Sequence, residues 1–144
     1  MAIVSHILDT KNGSQLHTIT PDKSTYEALQ MMAKHDVGAI MVMSEDTLVG
    51  VLTEREYARR IVLEGKTSRH TPVKDTMNQN FKAVSHDTTL ERCMTLMTEN
   101  RTRYLPVLND GKLTGLISVG DVVKNLMAEQ RANIDHLEQY ITGG

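Results

Sequence analysis

Two short stretches of the sequence decide the fold, Gly50-Val51-Leu52-Thr53-Glu54-Arg55-Glu56 and Gly115-Leu116-Ile117-Ser118-Val119-Gly120-Asp121. Each consists of a glycine, two apolar residues, a hydroxyl residue, two variable residues and an acid. They lie 65 residues apart, and at this offset residues 19–61 align with residues 84–126 without a gap, with five identical positions. The 144-residue chain is therefore predicted to contain two copies of one small unit.

Each copy predicts the same order of elements: a short strand, a helix, two strands joined by a tight turn, and a second helix. The first helix is indicated by a hydroxyl residue followed three positions later by Glu, in 24–27 and in 88–91. The second helix starts near Glu54 or Gly120. The strands are the apolar runs 17–19, 39–43, 48–52, 82–84, 104–108 and 113–117. The pattern predicts a mixed α/β (α+β) fold made of two β-α-β-β-α repeats.

The chain is predicted to divide into repeat 1 at residues 1–63, a polar linker at 64–72, repeat 2 at 73–126 and an extension at 127–144. The extension carries apolar residues near helical spacing with polar residues between them, at Met127, Ile134, Leu137 and Ile141. It predicts a C-terminal amphipathic helix that continues the second helix of repeat 2. Pro106 lies inside a predicted strand, which places that strand at a sheet edge or displaces its first hydrogen bond.

Composition argues against several classes of function. The net charge is −2 and aromatic residues make up 3%, too few positive charges and aromatic rings for a nucleic-acid platform. No apolar stretch approaches a bilayer span, and the single Cys suits a reducing compartment, so we expect a cytoplasmic protein without membrane contact. The six His lack metal-ligand spacing, and no phosphate-loop or nucleophile motif occurs. We expect neither a metal site nor an enzyme.

The sequence resembles a tandem pair of CBS domains, known as a Bateman module, over roughly residues 3–126. The resemblance depends on the two stretches quoted above, on Ile19-Thr20-Pro21-Asp22 and on Leu105-Pro106-Val107. The run 53–59 is also similar to the first module of stand-alone bacterial pairs. The resemblance implies two repeats packed with pseudo-twofold symmetry around two clefts. It further implies an adenosine ligand such as AMP, ADP, ATP or NAD(H).

What the resemblance implies for function is an energy or redox sensor that signals by ligand-dependent rearrangement of the pair. A homodimer or higher oligomer and an unknown downstream protein are the implied partners. The alternative is a ligand-free structural or oligomerisation module.

The residue types support a nucleotide site on physical grounds. A hydroxyl between a strand end and a helix start lies at the positive end of the helix dipole, where a phosphate binds well. Thr53 and Ser118 are therefore predicted to hold phosphate or ribose. An acid one turn later can accept from both hydroxyls of a ribose, the role predicted for Glu56 and Asp121. The alternative is that each pattern is only a helix-capping box. Asp121 matches the family's acid, so its cleft is the better candidate for ribose.

Other residues complete the predicted ligand sites. Arg55 and Lys11 are candidate phosphate partners in the first copy, and Gly120 leaves room for close approach in the second. The resemblance places adenine at the entry to the second strand of each copy, with Thr18 of the opening strand added to the ligand set. The strand-entry residues are Gly38, Ala39, Ile40, Arg103, Tyr104, Leu105 and Pro106. Arg101 and Arg103 are predicted to lie on one side of an extended segment and reach phosphates; a solvated surface pair is the alternative.

Overall fold

The structure, a computed structural model, describes residues 1–10 and 16–141. The helices in this part of the chain are α1 (Val4–Thr10), α2 (Thr25–His35), α3 (Glu54–Tyr57), α4 (Val73–Thr76), α5 (Leu90–Glu99) and α6 (Val119–Ile141). The strands are β1 (Thr18–Ile19), β2 (Ala39–Ser44), β3 (Thr47–Thr53), β4 (Tyr104–Asn109) and β5 (Lys112–Ser118). A π-helical turn at Ala58–Val62 continues α3, and a 3-10 turn lies at Ser68–His70. The predicted mixed α+β fold and its long C-terminal helix are confirmed.

The two repeats form unequal sheets because of Pro106. In the first repeat, β1 pairs in parallel with β2, which pairs antiparallel with β3. In the second, β4 pairs with β5, and only a single bridge from Val84 to Val107 stands where β1 would be. Met41 N donates to His17 O (3.2 Å) in the first repeat. Pro106 occupies the position of Met41 and has no N–H to donate, so the predicted strand at 82–84 shrinks to one bridge.

Two compact units make up the described chain. One contains the described residues of Met1–Ser14, Lys82–Leu108 and Gly115–Gly144, and the other those of Gln15–Phe81 and Asn109–Thr114. Each unit has its own hydrophobic core. Six pairs of positions at the 65-residue offset are buried in both cores: Ile19/Val84, Ala28/Cys93, Met32/Met97, Ile40/Leu105, Val42/Val107 and Leu52/Ile117. The repeat in the sequence is therefore a repeat of core packing.

The unit that contains most of the second repeat also contains the N-terminal segment. Val4 N donates to Thr88 O (2.9 Å) and Leu90 N donates to Ala2 O (3.1 Å), which ties this segment to the start of α5. Val4 is fully buried in the core of that unit. The helix α1 therefore serves the second repeat, although it precedes the first in the sequence.

The other unit uses the segment around α4 in the same way. Val73 N donates to Lys23 O (2.8 Å) and Thr25 N donates to Thr71 O (2.8 Å). These bonds match those of the N-terminal segment, and the two segments lie 69 residues apart. The compact units thus follow a different partition from the repeats, and the repeat boundaries given above stay a prediction. The segment predicted as linker also packs locally, since the Arg69 guanidinium lies 3.9 Å from the centre of the Tyr26 ring.

The glycines that open the two repeated stretches have a packing role. A Cβ on Gly115 would lie 2.6 Å from Leu8 Cδ2, and a Cβ on Gly50 would collide with the Met77 side chain. Gly115 therefore lets Leu8 of the N-terminal segment lie directly on β5, and Gly50 lets Met77, at the end of α4, lie directly on β3.

The helix starts follow the predicted caps with one correction. Ser24 Oγ accepts from Glu27 N (3.1 Å) at the start of α2, as expected. At α5 the cap is Thr89, which accepts from Arg92 N (3.2 Å), so the prediction of Thr88 was wrong by one residue. Thr88 Oγ1 instead accepts from Ser85 N (3.0 Å) in the preceding turn. Thr89 is also the residue that the 65-residue offset pairs with Ser24.

Candidate functional site

In each repeat, one backbone hydrogen bond joins the predicted adenine segment to the predicted phosphate segment. Glu54 N, the first amide of α3, donates to Gly38 O (3.3 Å) just before β2. Val119 N, the first amide of α6, donates to Arg103 O (2.9 Å) just before β4. The entry of one strand and the exit of the next therefore meet at a helix N-terminus in both repeats, as the ligand prediction requires.

The second repeat has a complete capping box at the start of α6. Asp121 N donates to Ser118 Oγ (3.1 Å), and Ser118 N donates to an Asp121 carboxylate oxygen (2.8 Å). Both side chains are half-buried. The Ser118 O–H can still donate to a ligand oxygen, and a carboxylate has about four acceptor sites. The box therefore fixes a hydroxyl and a carboxylate side by side at the positive end of a 23-residue helix.

The first repeat has only half of this box. Glu56 N donates to Thr53 Oγ1 (3.3 Å), but the Glu56 carboxylate turns forward to Arg60 Nε at 3.1 Å. Arg60 Nη1 also donates to Met77 O (2.7 Å). Arg60 is therefore held between a carboxylate and a backbone carbonyl, and it holds Glu56 away from the Thr53 amide.

The difference between the two carboxylates follows from one repeat position. The position of Arg60 corresponds to Asn125 in the second repeat. Asn125 donates through Nδ2 to Asp121 O (2.8 Å), a backbone atom, and the Asp121 carboxylate stays at the helix start. The longer Glu56 side chain and the cation one turn away instead draw the first carboxylate along its helix.

Sequence reasoning did not include Arg60 or Asn125 among the site residues. The signal was present for Arg60, because Glu56 and Arg60 have the spacing of an ion pair on one helix face. Nothing in the sequence indicated that Met77 would supply the second partner.

Four residues predicted to line an adenine slot are buried: Ala39, Ile40, Leu105 and Pro106. Ile40 and Leu105 lie in the hydrophobic cores of their own units, with no exposed surface. Ala39 is opposite Thr53 in the β2–β3 ladder. Because these side chains are buried in this conformation, contact with a ligand from these residues stays a prediction, and the backbone of the strand entry is the part expected to make it.

Gly38 is half-buried and shares the first-repeat site through its carbonyl. Thr18 is exposed on β1 and is opposite Met41 of the neighbouring strand. Arg55 is exposed in the first turn of α3. Lys11 lies outside the described residues.

In the second repeat, Tyr104 is half-buried, and its amide donates to Thr102 Oγ1 (3.4 Å). Gly120 is exposed as the second residue of α6. A Cβ built there would lie 3.7 Å from Ser118 Oγ, which is ordinary contact. The protein's own packing therefore does not require a glycine at this position.

The segment that carries Arg101 and Arg103 is not extended throughout, which corrects one expectation. Arg101 has a φ of 50° and belongs to the turn that ends α5. The Thr102 amide donates to Met97 O (3.0 Å), a bond that closes the helix end and forces the left-handed residue before it. Both arginines are exposed, and their contact with a phosphate stays a prediction.

Two titratable groups outside the predicted sites, His17 and Cys93, have shifted pKa values. The His17 and His35 rings stack with centroids 3.9 Å apart. Burial, with a smaller contribution from the charge of His35, lowers the pKa of His17. Burial also raises the pKa of the Cys93 thiol to about 11, with a smaller effect from Glu91, so this thiol is unreactive at neutral pH.

The part of the chain that the structure describes contains no group of three or more His, Cys, Asp or Glu side chains placed to hold a metal ion. Within the same residues, every helix is too short or too polar to cross a membrane.

The fold and the paired sites define a class of protein. The family model for the CBS domain matches the chain twice, at residues 4–63 and 73–128. The chain therefore belongs to the CBS-domain family and contains two such domains in tandem. Tandem CBS domains are generally regulatory modules that bind adenosine ligands.

Individual relatives agree with this assignment. The chain is 39% identical over 130 residues to the mitochondrial CBS domain-containing protein CBSX3 of Arabidopsis thaliana, and the match covers 87% of this chain. The matched region spans 63% of that plant protein. This chain is also 32% identical over 138 residues to the CBS domain-containing protein YhcV of Bacillus subtilis. That match covers 92% of this chain and 97% of the relative. A solved structure of a protein with CBS domains from Burkholderia ambifaria is 41% identical, with a TM-score of 0.85, over 90% of this chain and 96% of that one.

Proposed function

We propose that this CBS-domain pair binds an adenosine nucleotide, AMP, ADP, ATP or NAD(H), and acts as a regulatory sensor. Binding favours one arrangement of the pair, and a downstream protein responds to that arrangement. The proposal includes self-association as a homodimer or larger oligomer, a cytoplasmic location and no catalysis. It also includes no nucleic-acid, membrane or metal partner.

One observation carries the proposal. In both repeats, the backbone before one strand is hydrogen-bonded to the first amide of a helix whose cap is a hydroxyl residue with an acid three positions on. Backbone groups at a strand entry suit the edge of a purine, a hydroxyl at a helix N-terminus suits a phosphate or ribose, and a carboxylate suits a ribose diol. In the second repeat, the three features that one adenosine nucleotide needs lie together where the strand entry is hydrogen-bonded to the helix start.

The second repeat is the better ribose site. The Asp121 carboxylate stays at the helix start beside Ser118, whereas the Glu56 carboxylate is paired with Arg60 at 3.1 Å. A ribose would have to displace the Arg60 guanidinium from Glu56 and leave it with a single partner, Met77 O. We therefore assign the diol to Asp121 and expect the first repeat to bind more weakly.

The alternative function, a ligand-free structural or oligomerisation module, is favoured by a different observation. Both acids already have a structural partner, since Asp121 caps its own helix and Glu56 pairs with Arg60. Capping alone can account for a hydroxyl and an acid at this spacing. The experiment must therefore separate the capping role of Asp121 from ligand binding.

Two substitutions at one position make this separation. Asp121→Asn keeps a side-chain oxygen that can accept from Ser118 N, so the cap survives while the negative charge is lost. Asp121→Ala removes both. Asp135→Asn is the matched control, because it removes the same charge from an exposed position further along α6.

Isothermal titration of the full chain with AMP, ATP and NADH measures the outcome. A hydrogen bond to a charged group is worth about 1.5–3 kcal/mol, so Asp121→Asn should weaken binding about 10- to 100-fold while Asp135→Asn leaves it unchanged. Wild-type protein should also bind AMP more tightly than 2′-deoxy-AMP. Equal affinity of wild type and Asp121→Asn would remove Asp121 from the site. No heat with any nucleotide at about 1 mM would leave the structural module as the function.

A further inference from the structure

The second half of α6 has no cover from the described chain. Every residue from Arg131 to Ile141 is exposed, whereas earlier in the helix Val119, Val122 and Leu126 pack on the core of their unit. A helix segment of this length is marginal in water unless an apolar face is packed against something.

Five exposed apolar residues of α6, together with Gln130, form a regular stripe, which we call the α6 seam. Its positions are Val123, Met127, Gln130, Ile134, Leu137 and Ile141. The steps between them alternate strictly between four and three residues, a repeat of 3.5. A straight helix repeats every 3.6 residues, so a 3.5 stripe stays aligned only when two helices supercoil around each other. A helix that packs on its own core has a wider apolar face than this.

We propose that the α6 seam joins two copies of this chain as a parallel, in-register, two-stranded coiled coil. The proposal names the surface for the self-association included in the proposed function, and it does not depend on nucleotide binding. In heptad terms, Met127, Ile134 and Ile141 take position a, and Val123, Gln130 and Leu137 take position d.

The residue types at the seam favour two parallel strands. β-branched residues at a with Leu at d favour parallel dimers, and Ile134, Leu137 and Ile141 have this order. Gln130 is the single polar residue of the seam. In a parallel, in-register pair it meets Gln130 of the second copy, where the two amides can hydrogen-bond to each other. Any antiparallel register would place it against an apolar residue instead.

Charges flanking the seam are compatible with the same arrangement. The e positions carry Lys124, Arg131 and Glu138, while the g positions carry no charge: Val119, Leu126, Asn133 and Tyr140. A parallel pair brings e against g of the second copy, so no like charges meet. An antiparallel pair centred on the seam would bring Arg131 against Arg131 of the second copy but also Lys124 against Glu138, so the charges alone do not set the orientation.

The exposed area is sufficient for a specific contact. The relative exposures are 39% for Val123, 63% for Met127, 55% for Ile134, 59% for Leu137 and 76% for Ile141. These side chains expose on the order of 500 Å² per copy, so two copies would bury about 1,000 Å², the lower bound for a specific interface. An apolar patch of this size lies in the range of the largest patches on monomers, which are often functional.

The first test is the mass of the full-length chain in solution, without nucleotide, by sedimentation equilibrium. Wild type should dimerise, and Leu137→Asp should raise the dimer dissociation constant at least tenfold. Ala132→Asp is the matched control, because it places the same charge on the opposite face of the same helix and should leave the dimer intact. Circular dichroism confirms that both variants stay folded. A wild-type monomer at about 0.5 mM, or a dimer that survives Leu137→Asp, overturns the proposal.

A second test fixes the orientation. Leu137→Cys should form a disulfide between two copies under mild oxidation, because d positions of a parallel pair face each other within disulfide reach. Gln139→Cys lies on the outer face and should not. The native Cys93 is buried and should not compete. Equal cross-linking of the two variants, or none from Leu137→Cys, contradicts a parallel seam. Since no nucleotide is present, either result leaves the ligand proposal to its own titration.

Discussion

Replacing Gly120 by Ala should change the free energy of unfolding and the nucleotide affinity in opposite directions. Gly120 is exposed, is the second residue of α6, and has room for a Cβ, whose nearest neighbour would be Ser118 Oγ at 3.7 Å. Glycine inside a helix costs about 0.5–1 kcal/mol relative to alanine. The substitution should therefore raise the free energy of unfolding by about this amount, which corresponds to a Tm increase of about 1–4 °C for a chain of this size.

The same methyl group should harm ligand binding. It would lie against the Ser118 hydroxyl, which is the proposed partner of phosphate or ribose, and a nucleotide would have to move away from the helix start. We expect the dissociation constant for AMP or NADH to rise about tenfold or more, equivalent to about 1.4 kcal/mol. A more stable protein that binds less tightly is the expected outcome.

The assay combines urea unfolding with calorimetric titration. His136→Ala is the matched control, because it raises helix propensity at an exposed position of the same helix, remote in sequence from Ser118. It should stabilise the chain without changing affinity. If Gly120→Ala gains stability and binds as tightly as wild type, the ligand does not approach this turn and the site assignment fails. If Gly120→Ala lowers the free energy of unfolding, the inference that a Cβ fits at this position is wrong.

Two further predictions concern the fold. Gly115→Ala should lower the free energy of unfolding by about 1 kcal/mol, the low end for overpacking, since Leu8 Cδ2, 2.6 Å from the new Cβ, is the movable end of a half-buried side chain; an unchanged urea midpoint would contradict this. The second concerns acid. The folded state lowers the pKa of His17 from 6.5, so the unfolded chain binds more protons and stability falls as the pH drops below this value. His17→Gln should reduce the loss between about pH 7.5 and 5.5 in urea unfolding, and an identical loss in both proteins would refute it.

The sequence predicted most of the fold because the same chemistry occurs twice. Where one copy leaves a residue ambiguous, the other copy identifies it. The cap of α5 is Thr89, the residue that the 65-residue offset pairs with Ser24, the cap of α2. What the offset could not indicate is which repeat a terminal segment serves. Local hydrophobicity is the same whether α1 packs on the nearer or the farther repeat. The structure decides it through the backbone hydrogen bonds to the start of α5 and the burial of Val4 in that core.

The sequence predicted which residue types occur at the candidate site, but not which groups their side chains would pair with. A hydroxyl and an acid at this spacing indicate a helix start, and both repeats have one. Whether the carboxylate points back to the first amide or forward along the helix depends on the residue one turn later, Arg60 or Asn125. The sequence also could not show which of the apolar site residues are buried, because an isoleucine such as Ile40 suits a ligand cleft and a hydrophobic core equally well.

The comparison of the two repeats separates the positions that the fold explains from the positions that the proposed ligand sites would use. Core positions such as Met32 and Met97 are alike in both copies and are buried in both, so the fold accounts for them. At the helix start the two copies differ, because Arg55 in the first repeat occupies the position of Gly120 in the second. If the proposed sites bind a nucleotide, this difference should give them unequal ligand preference, because phosphate needs a cation and a ribose ring needs room.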